Sequence, residues 1–214
     1  MTTFEEFPKI ARLSRECVIT EKIDGTNAQV FIVKASDIED GVSAVGPLAR
    51  LAIGVKSDEG LVMLAGSRTQ YITPERDNHG FARWAMEHAR ELFALGEGRH
   101  YGEWWGSGIQ RGYGLQKGEK RFSLFNVARW GDDRDREKFP GNRPACCHVV
   151  PTLYRGDFHT TAADFALQSL RELGSKAAPG FMNPEGIVVF HEAARLMFKK
   201  TIERDSEPKS KTAA

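Results

Sequence analysis

The stretch Thr20-Glu21-Lys22-Ile23-Asp24-Gly25-Thr26-Asn27 decides how the rest of the sequence is read. Apolar side chains alternate into it at Ile19 and Ile23, which predicts a strand with Val18, Thr20 and Lys22 on its opposite face, ending at an Asp-Gly turn. Val30-Phe31-Ile32-Val33 follows at once, so the unit reads as strand, turn, strand: a hairpin with Lys22 held beside the turn. A lysine so placed is either a solvated turn residue or a nucleophile that attacks the α-phosphorus of a nucleotide and expels pyrophosphate. An amine nucleophile must be neutral, whereas a free lysine with a pKa of about 10.4 is protonated at neutral pH. The chemical reading therefore predicts basic companions and a metal-binding carboxylate elsewhere in the chain.

Composition narrows the alternatives. A chain of 214 residues, 41% hydrophobic and 28% charged, is long enough for one well-filled core and short for two domains. Its net charge of +1 provides no global basic field, so any polyanion must be met by a local groove. The amino terminus has neither a basic segment nor an apolar run, and no stretch approaches membrane-spanning length, which reads as a cytoplasmic protein. Cys17, Cys146 and Cys147 have no zinc-site spacing, even with His148 adjacent, and read as free thiols.

Along the chain, Phe4, Phe7, Ile10 and Leu13 recur at helical spacing but are interrupted by Pro8, which allows a short helix or turn. Residues 35–60 read as a long loop with a short strand, and Leu61–Ala65 as a strand running into Ser67-Arg68-Thr69. Arg68 is either a lone exposed arginine or a phosphate ligand whose fork matches phosphate oxygens. Phe81, Trp84, His88, Leu92 and Leu95 predict a helix capped by Asp77 or Asn78 that stops before Gly96.

His100 to Gly106 is a β-prone aromatic run with Glu103 in its middle, either on a solvent face or accepting a ribose hydroxyl proton; glycines at 108, 112 and 114 follow and permit close approach of backbone or ligand. Arg121–Val127 reads as a strand whose Phe125 is a core aromatic or a purine stacker. Residues 131–144 read as a solvated mixed-charge loop, His148–Leu153 as a strand, and a helix from Thr160 or Thr161 to Gly174 carries Phe165, Leu170 and Leu173. Asn183-Pro184-Glu185-Gly186 leads into the strand Ile187–Phe190, and Arg195–Ile202 is its partner. A carboxylate thus sits at a strand mouth, and lysines enter an apolar strand, where a charge needs a partner.

Taken in order, Glu21-Lys22-Ile23-Asp24-Gly25, Ser67-Arg68, Tyr101-Gly102-Glu103, Phe122–Val127, Glu185-Gly186-Ile187-Val188 and Phe198-Lys199-Lys200 resemble the motif series of the covalent nucleotidyltransferases, and most of all an ATP-dependent RNA ligase. The resemblance spans Lys22 to Lys200. It implies an α+β adenylation domain with antiparallel sheets flanked by helices around a nucleotide cleft. Residues 1–204 would form one domain and 205–214 a polar tail, with no OB-fold domain after it.

By the same resemblance, Lys22 is the adenylated nucleophile, and Glu21, Asp24, Gly25 and Asn27 belong to the nucleotide site, Glu21 with its backbone at the adenine edge. Arg68 holds phosphate, Glu103 binds ribose, Phe125 stacks on adenine, Glu185 binds the metal and Lys199 contacts the α-phosphate. Two departures bear on this. Asn126 stands where the family often has aspartate. Lys199 and Lys200 adjoin where the family's lysines are commonly separated by one residue, so they point to opposite faces of a strand; Lys199 is the first choice and Lys200 the reserve. The implied cofactors are ATP and Mg2+ or Mn2+. The implied partner is RNA with 5′-phosphate and 3′-hydroxyl ends at nicks or guided junctions, gripped by a monomer, with an accessory protein as a further option. A minimal DNA or mixed-polymer ligase, and a binding module without turnover, are the alternative readings.

Overall fold

The computed structural model describes residues 3–7, 9–39, 51–56, 58–131, 143–203 and 205. In chain order these form β1 (Glu16–Lys22), β2 (Thr26–Lys34), α1 (Ala35–Glu39), β3 (Ala52–Lys56), β4 (Leu61–Gly66), β5 (Tyr71–Ile72), α2 (Phe81–Glu87), α3 (Ala89–Leu92), β6 (Gly98–Gly106), β7 (Lys120–Leu124), α4 (Val127–Trp130), β8 (Cys147–Val149), β9 (Thr152–Asp157), α5 (Thr160–Leu173), β10 (Gly186–His191) and β11 (Leu196–Thr201). They build an α+β fold of two sheets. A four-stranded sheet runs β11-β10-β1-β9, and a seven-stranded one runs β3-β4-β2-β6-β7-β8 with β5 beside β4. Among the described residues, only the β7–β8 pairing is parallel.

The expected hairpin is not one. β1 pairs with β9 and β10 in the small sheet, whereas β2 pairs with β4 and β6 in the large one, so residues 23–25 carry the chain from one sheet to the other. Ile23, buried in this crossing, belongs to the same core as Val18 of the small sheet and Ala28, Val30 and Ile32 of the large one. Gly25 lies against β6, where an added Cβ would stand 2.5 Å from the Trp104 carbonyl oxygen and 2.8 Å from the Trp105 Cβ. Close approach, not a left-handed backbone, is what the position requires.

The helices cover the outer faces. α2 lays Phe81 and Trp84 against Trp104 and Phe122, with ring centroids 5.0–5.7 Å apart, and Phe81 and Phe122 are fully buried. The N-cap of α2 is Gly80 and not the expected Asp77 or Asn78, but the Asp77 carboxylate still accepts from the N–H groups of Ala82 (2.8 Å) and Arg83 (3.0 Å) in the first turn. The predicted single helix is nevertheless broken. At His88 the backbone leaves helical geometry, and the ring Nδ1 sits 2.8 Å from the Trp84 carbonyl oxygen, between α2 and α3.

α5 packs on the small sheet through Ala162, Ala163, Ala166, Leu167 and Leu170 against Cys17, Ile19, Ile187 and Val189. Phe165 and Leu173, expected on its apolar face, point outward, because the tight β1–β10 floor admits alanines there. Other short segments stand as follows. Phe4, Phe7, Ile10 and Leu13 form no helix and are exposed. The 35–60 segment contributes α1 and β3, with residues 40–50 outside the described set. Most of the mixed-charge 131–144 run and all of the 205–214 tail except Asp205 also lie outside it. No described helix is long and apolar enough to cross a membrane.

Because the atoms facing Gly25 are backbone and a Cβ, not the mobile tip of a side chain, Gly25→Ala is expected to destabilise the fold by about 1–3 kcal/mol. Chemical denaturation checks this through a lowered unfolding midpoint, and an unchanged midpoint would mean that the two sheets are free to part at the crossing.

Candidate active site

The crossing places its functional groups where the sheets meet. Lys22, the last residue of β1, donates from Nζ to the Glu185 carboxylate at 2.5 Å. Glu185 immediately precedes β10, whose Gly186 pairs with Lys22, so the contact follows from the register of two adjacent strands. Both side chains are sheltered, 19% and 7% exposed. The carboxylate that the sequence put at a strand mouth therefore lies beside Lys22.

Glu103, on β6, faces the same turn from the other sheet. Its carboxylate accepts from the Gly25 N–H (3.1 Å) and from Asn27 Nδ2 (3.1 Å), directly across the Asn27–Glu103 strand pair. Burial pushes its carboxyl up to about 7; Lys22 and the two donors pull it down, while the charge of Glu185 pushes it further up. Glu103 and Glu185 thus flank Lys22 from the two sheets, and of these Glu185, in direct contact with the lysine, is the carboxylate that could hold a divalent cation.

The turn is gripped by residues that sequence reasoning missed. The Arg111 guanidinium donates to the Asp24 carboxylate (3.1 Å), to the carbonyl and side-chain oxygens of Asn183 (3.0 and 2.7 Å), and lies 3.6 Å from Glu203. The buried Tyr113 hydroxyl accepts from the Asp24 N–H at 2.9 Å and also meets the Glu185 backbone, and burial raises its pKa well above that of a free phenol. Gln110 and Tyr113 hold positive φ angles of 44° and 52°, conformations non-glycine residues adopt at a cost. Between the two sheets, the 106–114 segment thus ties the Lys22 turn to the Glu185 loop. Its glycines were the visible signal, and Arg111 and Tyr113 stand among them.

Other expected positions separate cleanly. The Glu21 carboxylate turns to the α5 side of the sheet, where Ser175 Oγ (2.6 Å) and the N–H groups of Lys176 (2.7 Å) and Ala177 (3.0 Å) enclose it; burial nevertheless raises its pKa. Its amide donates to the Pro151 carbonyl, so Glu21 anchors the loop after α5 and offers no side chain to a ligand. Lys199 pairs with Val188, which pairs with Thr20, on the face that carries Lys22. Lys200 pairs with Ile187 on the opposite face and reaches Asp164 of α5 at 2.6 Å. Alternation therefore puts Lys199 on the Lys22 face and Lys200 on the α5 face.

Phe125 is 39% exposed just beyond β7, its N–H bonded to the Tyr101 carbonyl, on the face of Glu103. Asn126 caps α4 by accepting from the Arg129 N–H at 3.0 Å, a task that removes it from the cleft. Arg68 is exposed in the Ser67–Gln70 turn, at the end of β4 nearest the crossing, since Gly66 pairs with Gln29.

The family model described as RNA ligase matches residues 15–202, a span that contains every residue placed above except Glu203. The chain belongs to the RNA ligase family. Among solved structures, the chain is similar to Naegleria gruberi RNA ligase variants. One, with ATP and Mn, is 16% identical at TM-score 0.47 over 88% of this chain and 50% of that one. Another, with AMP and Mn, is 18% identical at TM-score 0.48 over 87% and 49%. The chain thus spans about half the length of these structures. No curated protein matches it.

Since the folded-state value of Glu103, about 7, lies above the ordinary 4.5, folding favours its protonated form. Its contribution to stability is complete below pH 4.5 and is lost as pH rises through 7, so wild type should lose stability across that window and Glu103→Ala should lack that portion. Carboxyl 13C NMR titration would show a midpoint near 7, and a midpoint near 4.5 would contradict the burial argument.

Proposed function

We propose that this domain is the adenylation domain of an ATP-dependent RNA ligase, residues 1–204 forming one unit around the two-sheet cleft. The observation that carries the reading is the 2.5 Å contact between Lys22 and Glu185, with Glu103 across the turn, inside a chain of the RNA ligase family. A solvated turn lysine would have no reason to meet a carboxylate on a neighbouring strand in a sheltered cleft.

In the first step the neutral Lys22 amine attacks the α-phosphorus of ATP. A P–N bond forms, the P–O bond to the β-phosphate breaks, and pyrophosphate leaves with the electron pair. An RNA 5′-phosphate oxygen then attacks the same phosphorus, breaking P–N and returning the lysine. Finally a 3′-hydroxyl attacks the adenylated end, forming the phosphodiester and releasing AMP. Lys199, on the Lys22 face, would meet the nonbridging α-phosphate oxygens as charge builds on them. Glu103 would receive a ribose hydroxyl, Phe125 would stack on the base, and Arg68 would hold phosphate. Asp24, Gly25 and Asn27 shape the turn that presents the amine. Glu185 would hold Mg2+ or Mn2+, which supplies neutralisation of the triphosphate.

Incubation with α-labelled ATP and Mg2+, followed by a denaturing gel, tests the reading. Label should survive denaturation in wild type, vanish in Lys22→Ala, fall at least tenfold in Lys199→Ala, and persist in Lys200→Ala, which loses only an exposed ion pair. Label retained by Lys22→Ala, or a blank wild type even after pyrophosphate treatment to strip bound AMP, would overturn it.

A further inference from the structure

The register of the seven-stranded sheet extends the Glu103 face into a strip that the nucleotide chemistry does not use. Asn27, Gln29 and Phe31 of β2 pair with Glu103, Tyr101 and Arg99 of β6, so all six side chains share one face. Two-residue steps along β6 set Tyr101 about 7 Å and Arg99 about 14 Å from Glu103. Tyr101 is 52% exposed although its strand is interior, flanked by β2 and β7. The Arg99 guanidinium is held by three side-chain contacts. It lies 3.8 Å over the Phe31 ring, donates to Gln29 Oε1 at 3.1 Å and donates to the Tyr71 hydroxyl at 2.9 Å. Those two bonds use two of its five N–H donors, and the residue remains exposed.

We propose that this strip, from Tyr101 to Arg99, is a binding track for single-stranded RNA, Tyr101 stacking on a base and Arg99 meeting a phosphate one step further on. The identity of the occupant rests on the RNA ligase reading; the shape of the track does not. An exposed ring and a pre-set guanidinium in series on a sheet face suit splayed, unpaired bases and their backbone. A duplex, whose bases are stacked internally, would present no ring face to Tyr101. The track is continuous with the cleft, since the Phe125 N–H bonds to the Tyr101 carbonyl on the neighbouring strand. The cation has the sign a polyanion needs in a chain whose net charge of +1 provides no general attraction.

The test uses the whole chain and a fluorescein-labelled single-stranded oligoribonucleotide with a 5′-hydroxyl, which cannot be adenylated, read by fluorescence anisotropy at several salt concentrations. Tyr101→Ala should weaken binding roughly tenfold to a hundredfold, and Tyr101→Phe should retain it. Arg99→Ala should weaken binding and lower the salt slope by about 0.7. Labelling with α-labelled ATP should be unchanged in all three. The track is overturned if wild type does not bind the oligonucleotide, if both alanine variants bind as wild type does, if a duplex of the same sequence competes better than the single strand, or if these variants lose ATP labelling, which would place the residues in the nucleotide pocket. A wild type that binds the oligonucleotide in the predicted pattern yet takes no label would support the track and defeat the ligase reading alone.

Discussion

Between Lys22 and Thr26 the chain leaves one sheet and enters another, and the close contact of Gly25 with the β6 backbone is what allows the crossing. A side chain there would push the two sheets apart, and with them Lys22 from Glu185 on one side and Gly25 from Glu103 on the other. Three constraints therefore meet at this crossing: a steric limit and a hydrogen-bonded carboxylate at Gly25, and an ion pair at Lys22. Arg111 and Tyr113 reinforce the same point from a third segment, fastening Asp24 to the loop that carries Glu185. Desolvation gives these contacts their weight, because a polar group left unpaired in that sheltered space costs more than it would at the surface.

The electrostatics of the cleft follow from this packing. Glu103 is drawn towards protonation by burial, while Glu185 keeps Lys22 as its immediate partner. Lys199 adds a second cation on the same face two strands away, and Glu21 and Lys200, adjacent in sequence to the two lysines, are diverted to α5 and its following loop by strand alternation. The side chains that face the cleft thus alternate with side chains that hold the scaffold, and each pair of neighbours divides the two tasks.

Much of this was legible in the residues. The Ile19–Lys22 alternation, the Val30–Val33 run and the Ile187–Phe190 run all became strands, because their periodicity matches burial on one face or both. The motif order identified the family, and the adjacency of Lys199 and Lys200 already meant opposite faces. What the sequence did not disclose was partnership. Nothing local says that β1 and β2 belong to different sheets, since the choice depends on β6 and β10, which lie far away in the chain. The same holds for Arg111, whose partners Asp24 and Asn183 are distant in sequence, and for Asn126, whose cap depends on a four-residue helix too short to announce itself. At His88 the backbone leaves helical geometry and interrupts a periodic pattern that by itself read as continuous.

The central claim is that the crossing presents Lys22, and no other lysine, as the group that takes up AMP. Intact-mass analysis of the whole chain after incubation with ATP and Mg2+, followed by peptide mapping, measures this directly. A single AMP adduct confined to the peptide bearing Lys22 is the predicted result, and an adduct on Lys199 or Lys200, or a chain that gains no mass after pyrophosphate stripping and fresh ATP, would contradict it.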